Sequence, residues 1–371
     1  LCSSFLTYLF LDLYITLHQV KISIKENLIY VLLATVADVM PIRNINRLLA
    51  INVLKNFDIN KNLIFNNLFN LFKLKKKLEL DDLGFFIAPV LNSAGRLENA
   101  NDIVKLLTTT KKDDIIRISK YIYNLNLKRK LIEYRYLNEI EFDNISKQKG
   151  IIFIYKQNIS EGLIGIIASR IKEQFNRPCI VFTNSSADLI KGSARSTSNF
   201  NIGGHIYGAL KKNILIKGGG HNLAAGVTLS KSKLNLFKKF LNNYYLSKKI
   251  DLSEFFISRV SLSVINKNFM NEVNNMGPFG HGNTNPIFLF QNIKLIKPKI
   301  LKNKFISCFI KSNNKMIKAI SFNHLNSKIS FEIMNSKNNV NLLAKIKENI
   351  WNNKSFIQLE IIDIIKHTNN T

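Results

Sequence analysis

The sequence predicts an α/β fold in several parts, with a helical beginning, one long helix, an α/β domain and a final small β-barrel. Its 371 residues can hold two or three domains, each large enough to bury a core. Short strand patterns alternate with helical patterns between residues 151 and 248. After about residue 250 the pattern changes to alternating runs separated by Asn-rich and Lys-rich turns. The last part is therefore expected to be mostly β.

The first part opens on an apolar segment, Leu1 to Leu17, that resembles a signal peptide in composition. It lacks a basic start, contains Asp12 and continues directly into globular sequence, so we expect a core helix in a chain whose natural N-terminus lies upstream. Residues 28–40 form a buried apolar element that ends at Asp38. A carboxylate at the end of a buried strand is typical of ligand and metal sites, but Asp38 could equally cap a helix or turn.

The long helix is predicted over residues 112–147. Its apolar side chains are separated by steps of three, four or their sums, as in an amphipathic helix. These side chains belong to Ile115, Ile118, Ile122, Leu125, Ile132, Tyr136 and Ile140. We expect this helix to connect two domains.

The α/β domain that follows alternates strands with helices. The predicted strands are Ile151–Tyr155, Cys179–Thr183, Leu189–Arg195 and Ala225–Leu229, and the predicted helices are Gly162–Phe175, Gly203–Lys212 and Lys231–Lys248. Beyond it, runs such as Lys304–Ile310 and Phe356–Ile361 predict five or so short strands. The OB-fold is the natural candidate, because it is a common barrel for single-stranded nucleic acid.

The formal net charge of +28 and the pI of about 9.9 indicate a polyanionic partner. The chain is also rich in Lys, Asn and Ile, so part of this charge could reflect compositional bias and a solvated surface. Only ten of the 53 basic side chains are arginines. An arginine in such a chain points to a need for two-point binding of phosphate or carboxylate, which draws attention to Arg96 and Arg195.

The three cysteines, Cys2, Cys179 and Cys308, are widely spaced and contain no CxxC pair. They predict neither a disulfide framework nor a zinc site, and they suit a reducing cytosol, so we expect a cytoplasmic protein. No apolar run reaches the length of a membrane span.

A glycine-rich stretch, Gly218–Gly226, is the most distinctive feature of the sequence. Ten of the 16 glycines fall between Gly162 and Gly226. Glycine lets the backbone come close to a ligand, and successive N–H groups in a turn can bind an anion such as phosphate. His221, which follows three glycines, could bind phosphate, donate a proton to a leaving oxygen, or simply be satisfied by the local backbone.

Two further stretches surround an arginine with small residues. Asn92–Leu97 offers Arg96 together with the donors Asn92 and Ser93, unless it is only a turn that opens a helix near Ala100. Lys191–Thr197 offers Arg195 among hydroxyl groups such as that of Ser196, unless it is a plain turn. Both are expected to be loops that hold a sugar-phosphate backbone.

Together these motifs resemble the DHH phosphoesterase superfamily. Gly218–Gly226 resembles the GGGHxxAAG signature of its DHHA1 domain, and the wider pattern resembles the RecJ-like family of single-stranded-DNA-specific exonucleases. The supporting stretches, in the family's order, are Ala34–Pro41, Leu91–Leu97, Gly162–Ile171, Arg177–Pro178, Lys191–Ser196 and Gly277–Gly280.

The resemblance implies the end of a DHH domain over residues 1–111, a connecting helix over 112–148, a DHHA1 domain over 149–248 and an OB-fold over 249–371. It also implies 5′→3′ hydrolysis of single-stranded DNA in repair and recombination by a two-metal site with Mn²⁺ or Mg²⁺. Asp38 matches a metal-ligating, catalytic aspartate, and His221 is a second catalytic candidate. Phosphate binding is assigned to Arg96, Arg195 and the glycine turn, with Asn92, Ser93, Ser196, Gly218, Gly219 and Gly220 as contributors. We expect a monomer outside the membrane, with single-strand-binding protein as a possible partner.

The sequence also departs from the family. No Asp-His-His occurs, so the other metal ligands are expected upstream of residue 1, and this chain alone is not expected to cleave DNA. Ala194 replaces the usual Gly, and Ile159-Ser160 replaces Trp-His. Two alternatives stay open: a non-catalytic relative that binds single strands, and a phosphodiesterase for short oligonucleotides or cyclic dinucleotides, against which the extra β-domain argues.

Overall fold

The computed structural model describes the chain except for residues 75, 141–144, 146–147, 187, 247–255, 313–314, 324, 326, 337, 352–353 and 366–371. The chain separates into two compact units. The first comprises Leu1–Phe57, Leu78–Gly84 and Ser253–Thr371, and the second comprises Asp58–Lys77 and Phe85–Leu252. No described helix is both long enough and apolar enough to cross a bilayer.

The first unit begins with helices α1 (Ser3–Leu17), α2 (Leu28–Ala37) and α3 (Asn44–Asn56), and the one-turn helix α5 (Leu80–Asp82) belongs to it. The helix expected at the start is confirmed, but its expected burial in the core is wrong for most of its side chains. Residues 3–17 are helical, but among them only Phe5 is buried, whereas Phe10 and Leu17 are 67% and 69% exposed. Helical periodicity predicts the helix; it does not reveal which apolar side chains find a neighbour.

The barrel of the first unit is an OB-fold. Its five strands are β7 (Ile287–Leu301), β8 (Phe305–Ser312), β9 (Lys315–Ser321), β10 (Val340–Trp351) and β11 (Lys354–Ile365). They pair in the order β10-β11-β9-β8-β7, and β10 also pairs with β7, which closes the barrel. A two-residue strand, β6 (Ser258–Arg259), joins β7, and helices α12 (Lys267–Asn275) and α13 (Lys328–Asn335) accompany the barrel. The strands are longer than the short strands predicted.

The second unit contains the helices α4 (Leu63–Leu71), α6 (Ala88–Leu97), α7 (Asn101–Thr108) and α8 (Lys112–Asn138). A π-helical turn, Leu83–Ile87, leads into α6. The long helix was predicted to reach residue 147. It ends at Asn138, and residues 141–144 and 146–147 of that prediction lie outside the described part.

The remainder of the second unit is a five-stranded α/β domain. Its strands are β1 (Ile152–Tyr155), β2 (Cys179–Asn184), β3 (Leu189–Arg195), β4 (Lys217–His221) and β5 (Ala224–Ser230), in the order β1-β2-β3-β5-β4. The helices are α9 (Glu161–Phe175), α10 (Ile202–Lys211) and α11 (Leu234–Leu246). Strands β1 and β2 are parallel and the other pairs are antiparallel. The predicted elements are confirmed to within a few residues, except that the predicted helix end at residues 247–248 lies outside the described residues.

Each face of this sheet covers a separate apolar core. One core joins β3 and β5 to α10 and α11, with Phe182, Phe200 and Phe237 fully or nearly fully buried. The other lies between α9 and the first two strands, around Ile167 and Val181. Side chains alternate across a strand, so the residues of β3 that face away from the first core share a face with α9.

Candidate functional site

Arg96 lies in the last turn of α6, so the stretch Asn92–Leu97 is helical and the predicted loop is wrong there. Pro89, in the first turn, starts a helix well because its missing N–H needs no partner. The Arg96 guanidinium donates from Nη1 to the carbonyl oxygen of Gly162 at 3.1 Å. A Cβ at Gly162 would lie 2.5 Å from the Arg96 carbonyl oxygen. Glycine therefore lets the start of α9 touch the end of α6.

Arg195 is the last residue of β3. The predicted strand Leu189–Arg195 is therefore confirmed, and the predicted loop over Lys191–Thr197 is wrong for its first five residues. Its Nη1 donates to Ser193 Oγ at 3.1 Å and to the Ala194 carbonyl oxygen at 2.8 Å. A Cβ at Gly165 would lie 2.8 Å from Arg195 Nη2. The side chain is thus held between its own strand and the first turns of α9.

The two guanidinium groups share one electrostatic environment. Burial lowers the pKa of Arg195, and the nearby charge of Arg96 lowers it further. Burial also lowers the pKa of Arg96, as does Arg129, while Glu133 acts in the opposite direction. Within the described residues neither Arg96 nor Arg195 forms an ion pair with a carboxylate. Two half-buried cations without an anion between them make a site that an anionic ligand would stabilise.

A different arrangement lies beside them. Arg129 Nη1 and Glu133 Oε2 are 2.9 Å apart and both side chains are buried. Arg170 Nε reaches the other carboxylate oxygen at 2.8 Å. Each oxygen of the Glu133 carboxylate thus pairs with a different arginine. The hydrogen bond to Glu133 also raises the pKa of Arg170.

The stretch predicted as a glycine turn is an edge strand. Gly218, Gly219 and Gly220 belong to β4, and the turn of the hairpin is Asn222-Leu223. Gly220 needs to be glycine, because a Cβ there would lie 2.3 Å from the Ala224 carbonyl oxygen. Gly219 pairs with Gly226, and a Cβ at either would meet nothing within 4 Å. This pair leaves an open, flat surface of backbone.

The pairing register places cations around that surface. Lys191, Thr228 and Lys217 form one row across β3, β5 and β4. Ser193 and the glycine pair form the next row, and Arg195, Ala224 and His221 form the third. Successive rows are two residues apart, so all three share one face. A groove of about 500 Å³ lies over the first two rows, and Glu161 and Ile164 of α9 border it.

His221 ends β4 and is exposed. Its Nδ1 accepts the N–H of Leu223 at 3.4 Å, which leaves Nε2 as the nitrogen that can donate to a ligand. A Cβ at Gly203 would lie 2.7 Å from the His221 carbonyl oxygen, so the start of α10 packs directly on this residue. Two of the interpretations of His221 are therefore compatible: local backbone orients one nitrogen, and the other faces outward.

Two predicted contributors are committed to the fold. Ser93 Oγ donates to the Val90 carbonyl oxygen at 2.6 Å and lies 3.2 Å from that of Ile122. Ser196 Oγ donates to the Phe200 carbonyl oxygen at 2.6 Å, and its N–H donates to Leu223. Both serines are buried, whereas Asn92 is exposed. In the described structure these serines hold the elements that carry Arg96 and Arg195.

Asp38 lies in the first unit at the C-cap position of helix α2, so its placement at the end of a strand is wrong. It is exposed, and Val39 after it has φ +53°, a conformation that β-branched residues rarely adopt. Among the described residues, no three His, Cys, Asp or Glu side chains come together as metal ligands. Asp38 alone does not fit a divalent-metal site, which needs several oxygen ligands.

The segment after Asp38 is anchored within the first unit by the Gly277–Asn283 loop. Ile42 N–H donates to the His281 carbonyl oxygen at 2.7 Å, and Arg47 Nη2 donates to that of Gly277 at 2.8 Å. A Cβ at Gly280 would lie 2.9 Å from Ile42. The sequence resemblance includes Gly277–Gly280 without indicating this contact.

Sequence comparisons match residues 148–246 to the DHHA1 domain and residues 258–363 to the RecJ OB domain. The single-stranded-DNA-specific exonuclease RecJ of Bacillus subtilis (strain 168) is 28% identical over 349 residues, 89% of this chain and 43% of the relative. That of Escherichia coli (strain K12) is 32% identical over 235 residues, 58% of this chain and 39% of the relative. The chain thus spans about two fifths of the length of these relatives.

The crystal structure of RecJ from Thermus thermophilus in complex with Mn²⁺ has the same fold over 92% of this chain and 50% of its own, with a TM-score of 0.77 at 21% identity. The complex with Mg²⁺ gives a TM-score of 0.75 at the same identity. The fold and the two domain matches agree with one another. The chain is therefore RecJ-like and carries a DHHA1 domain followed by a RecJ OB domain.

Proposed function

We propose that this chain binds single-stranded DNA and forms the substrate-holding part of a RecJ-like 5′→3′ exonuclease. The observation that carries the proposal is the pair Arg96 and Arg195, two half-buried guanidinium groups that act on each other electrostatically and form no ion pair with a carboxylate among the described residues. A planar guanidinium can donate two parallel hydrogen bonds to phosphate. The phosphodiester backbone would supply the negative charge that the site lacks.

The groove beside the pair suits the rest of the strand. Its floor is the Gly219–Gly226 pair, where no side chain prevents close approach, and Lys191 and Lys217 lie at one end. Lys191 Nζ is 2.8 Å from Glu161 Oε2, so one of these lysines is partly neutralised in the free protein. His221 lies in the row of Arg195, where its Nε2 could donate to a phosphate or to a leaving oxygen.

The OB barrel supports the same proposal. On the outer side of β8 and β9, Phe309 pairs with Lys318 and Lys311 pairs with Met316. Phe305 and Phe322 contact each other edge to face, with ring centroids 5.2 Å apart, and Phe322 is 53% exposed. Exposed aromatic rings among lysines are typical of barrels that bind single strands through stacking and phosphate contacts.

Hydrolysis by two Mn²⁺ or Mg²⁺ ions, with Asp38 as one ligand, is part of the proposal for the complete enzyme. The described residues place no cluster of metal ligands around Asp38, so the other ligands would have to come from the rest of the complete enzyme. Repair and recombination in the cytoplasm as a monomer, with single-strand-binding protein as a partner, completes the proposed role. The second candidate is a non-catalytic relative that binds single strands, and the arginine pair suits it equally well.

The test is binding of a labelled oligonucleotide to the purified chain over a range of salt concentrations. We expect single-stranded DNA to bind with a steep dependence on salt, because phosphate contacts release counterions. Failure to bind at low salt would refute both candidates. In a protein that also contains the upstream DHH motifs, Asp38→Asn should leave binding nearly unchanged and abolish Mn²⁺-dependent cleavage; unchanged cleavage would remove Asp38 from the metal site.

A further inference from the structure

A long part of the α/β domain lacks acidic residues altogether. Residues 189–250 contain ten lysines, one arginine and no Asp or Glu. This stretch supplies β3, β4, β5, α10 and α11, so it contributes to both sides of the sheet. The sequence carries this signal plainly, although only the structure shows that several of these cations lie away from the arginine pair.

Two of these cations, Lys211 and Lys212, each lie over an aromatic ring. Lys211 Nζ lies 4.8 Å from the ring centroid of Tyr207, one helical turn before it, and Tyr207 is 57% exposed. Lys212 Nζ lies 5.4 Å from the ring centroid of Phe240 on α11, whose ring also meets Tyr244 at 5.1 Å. Within the described residues, neither Lys211 nor Lys212 forms an ion pair with a carboxylate.

Helical spacing shows where this surface lies. Gly203 and Ile206 face β4, since a Cβ at Gly203 would meet His221 and one at Gly218 would meet Ile206. Gly208 faces Phe240 of α11. At 100° per residue, Tyr207 and Lys211 fall between these two directions. They therefore lie on the exposed side of α10, between its contact with β4 and its contact with α11.

The edge strand β4 offers little obstruction between the two sides of the sheet. Strand β4 is the last strand in the order, and three of its five residues are glycines. At Gly219, where a Cβ would meet nothing within 4 Å, no side chain stands at this edge. Tyr207 and Lys211 are exposed on α10, the helix that packs on β4 through Gly203.

We propose that the exposed face of α10, formed by Tyr207 and Lys211 and continued by Lys212, binds further nucleotides of the same single strand. A base would stack on Tyr207, and the lysines would contact the adjoining phosphates. The charge decides between possible partners, since the surface is cationic and polyanions bind to it. This inference rests on the proposed function, yet it concerns the exposed side of α10 and a separate set of side chains.

The test compares two lengths of fluorescent oligothymidylate, of about 6 and about 24 nucleotides, because a short strand fills only one contact region. In anisotropy titrations at fixed salt, Y207A/K211A should weaken binding of the long strand about tenfold and leave that of the short strand unchanged. The double variant R96A/R195A should weaken both. Y207F/K211R, which keeps a ring and a cation, should bind the long strand like the original.

The matched control is K130A/Y134A on α8, which removes the same residue types at the same spacing from an exposed helical face. It should bind both lengths normally. The inference is overturned if Y207A/K211A binds the long strand as tightly as the original, if both lengths weaken equally, or if the control loses as much. Unchanged binding of the short strand by R96A/R195A would refute the arginine site alone, and a chain that binds neither length would refute both proposals.

Discussion

Two groups of arginines lie in the second unit, and they differ in what neutralises them. Arg129 and Arg170 share the carboxylate of Glu133, with N–O distances of 2.9 and 2.8 Å. Arg96 and Arg195 form no ion pair with a carboxylate among the described residues. Burial and neighbouring positive charge lower the pKa of both, and Glu133 opposes this only at Arg96. With Glu173, which also lies near Arg170, the first group has two carboxylates for its two guanidinium groups. No carboxylate among the described residues pairs with the second group, and that difference is the basis for proposing it as a binding site.

The largest expected effect comes from removing the shared carboxylate. Glu133→Gln leaves Arg129 buried without its anion, and the free energy of unfolding should fall by about 3 to 5 kcal/mol. Urea unfolding followed by circular dichroism measures it. Glu173→Gln is the matched control. Glu173 Oε2 lies 3.5 Å from Arg170 Nη1 and its side chain is 55% exposed, so its loss should lower the free energy of unfolding by less than about 1 kcal/mol. Equal losses would mean that Glu133 does not neutralise the first group.

The second effect is the converse, in which binding suffers and stability does not. Arg195→Ala should weaken single-stranded DNA binding about ten- to hundredfold, the size expected for charged hydrogen bonds to phosphate. Its free energy of unfolding should stay the same or rise, because a half-buried cation that Arg96 repels is removed. Arg117→Ala, which breaks an exposed pair with Asp114, is the control and should change neither quantity. A large loss of stability in Arg195→Ala would place Arg195 with the structural group.

A third effect tests how the arginine pair is held. An alanine inside a helix normally stabilises it by about 1 kcal/mol relative to glycine. Gly162→Ala should instead destabilise by about 1 to 3 kcal/mol, since its Cβ would lie 2.5 Å from the Arg96 carbonyl oxygen. It should also weaken DNA binding, because Arg96 must move. Gly219→Ala, with nothing within 4 Å, should leave stability unchanged or slightly raised; if Gly162→Ala behaved likewise, the contact between α6 and α9 would not position Arg96.

The smallest effect concerns salt. Loss of one phosphate contact lowers the slope of log affinity against log salt by about 0.7 for a single strand. Arg195→Ala should show this reduction, and Arg170→Ala should not, since Arg170 already has a carboxylate partner. Titrations at several salt concentrations resolve the difference. An identical slope for Arg195→Ala and the original chain would argue against direct contact with phosphate.

The order of the elements in the α/β domain was predictable because strand and helix periodicities differ strongly there. The interpretation of the motifs as loops was not. Arg96 lies in a helix and Arg195 ends a strand, although small residues surround both in the sequence. Small residues also serve close packing, and Gly162 and Gly165 show that purpose. Local composition cannot distinguish a residue that is small to turn the chain from one that is small to admit a neighbour.

The buried serines illustrate the same limit. Ser93 and Ser196 flank the arginines in sequence and looked like additional phosphate donors, yet both donate to backbone carbonyl oxygens inside the fold. Asp38 shows the reverse case, in which an apolar run before a carboxylate suggested a strand and the structure has a helix. A continuous apolar run of this kind has no periodicity that favours one over the other.

The sequence by itself determined the RecJ-like character, the OB-fold, the succession of strands and helices, and the importance of the scarce arginines and clustered glycines. These follow from local patterns, which depend only on neighbouring residues. Only the tertiary structure decided that the charge of Arg96 acts on Arg195, that Glu133 pairs with two other arginines, and that the glycine stretch is the edge strand of a sheet. Such facts depend on contacts between residues far apart in the chain. A local sequence pattern cannot show whether a charged side chain forms an ion pair with such a distant residue.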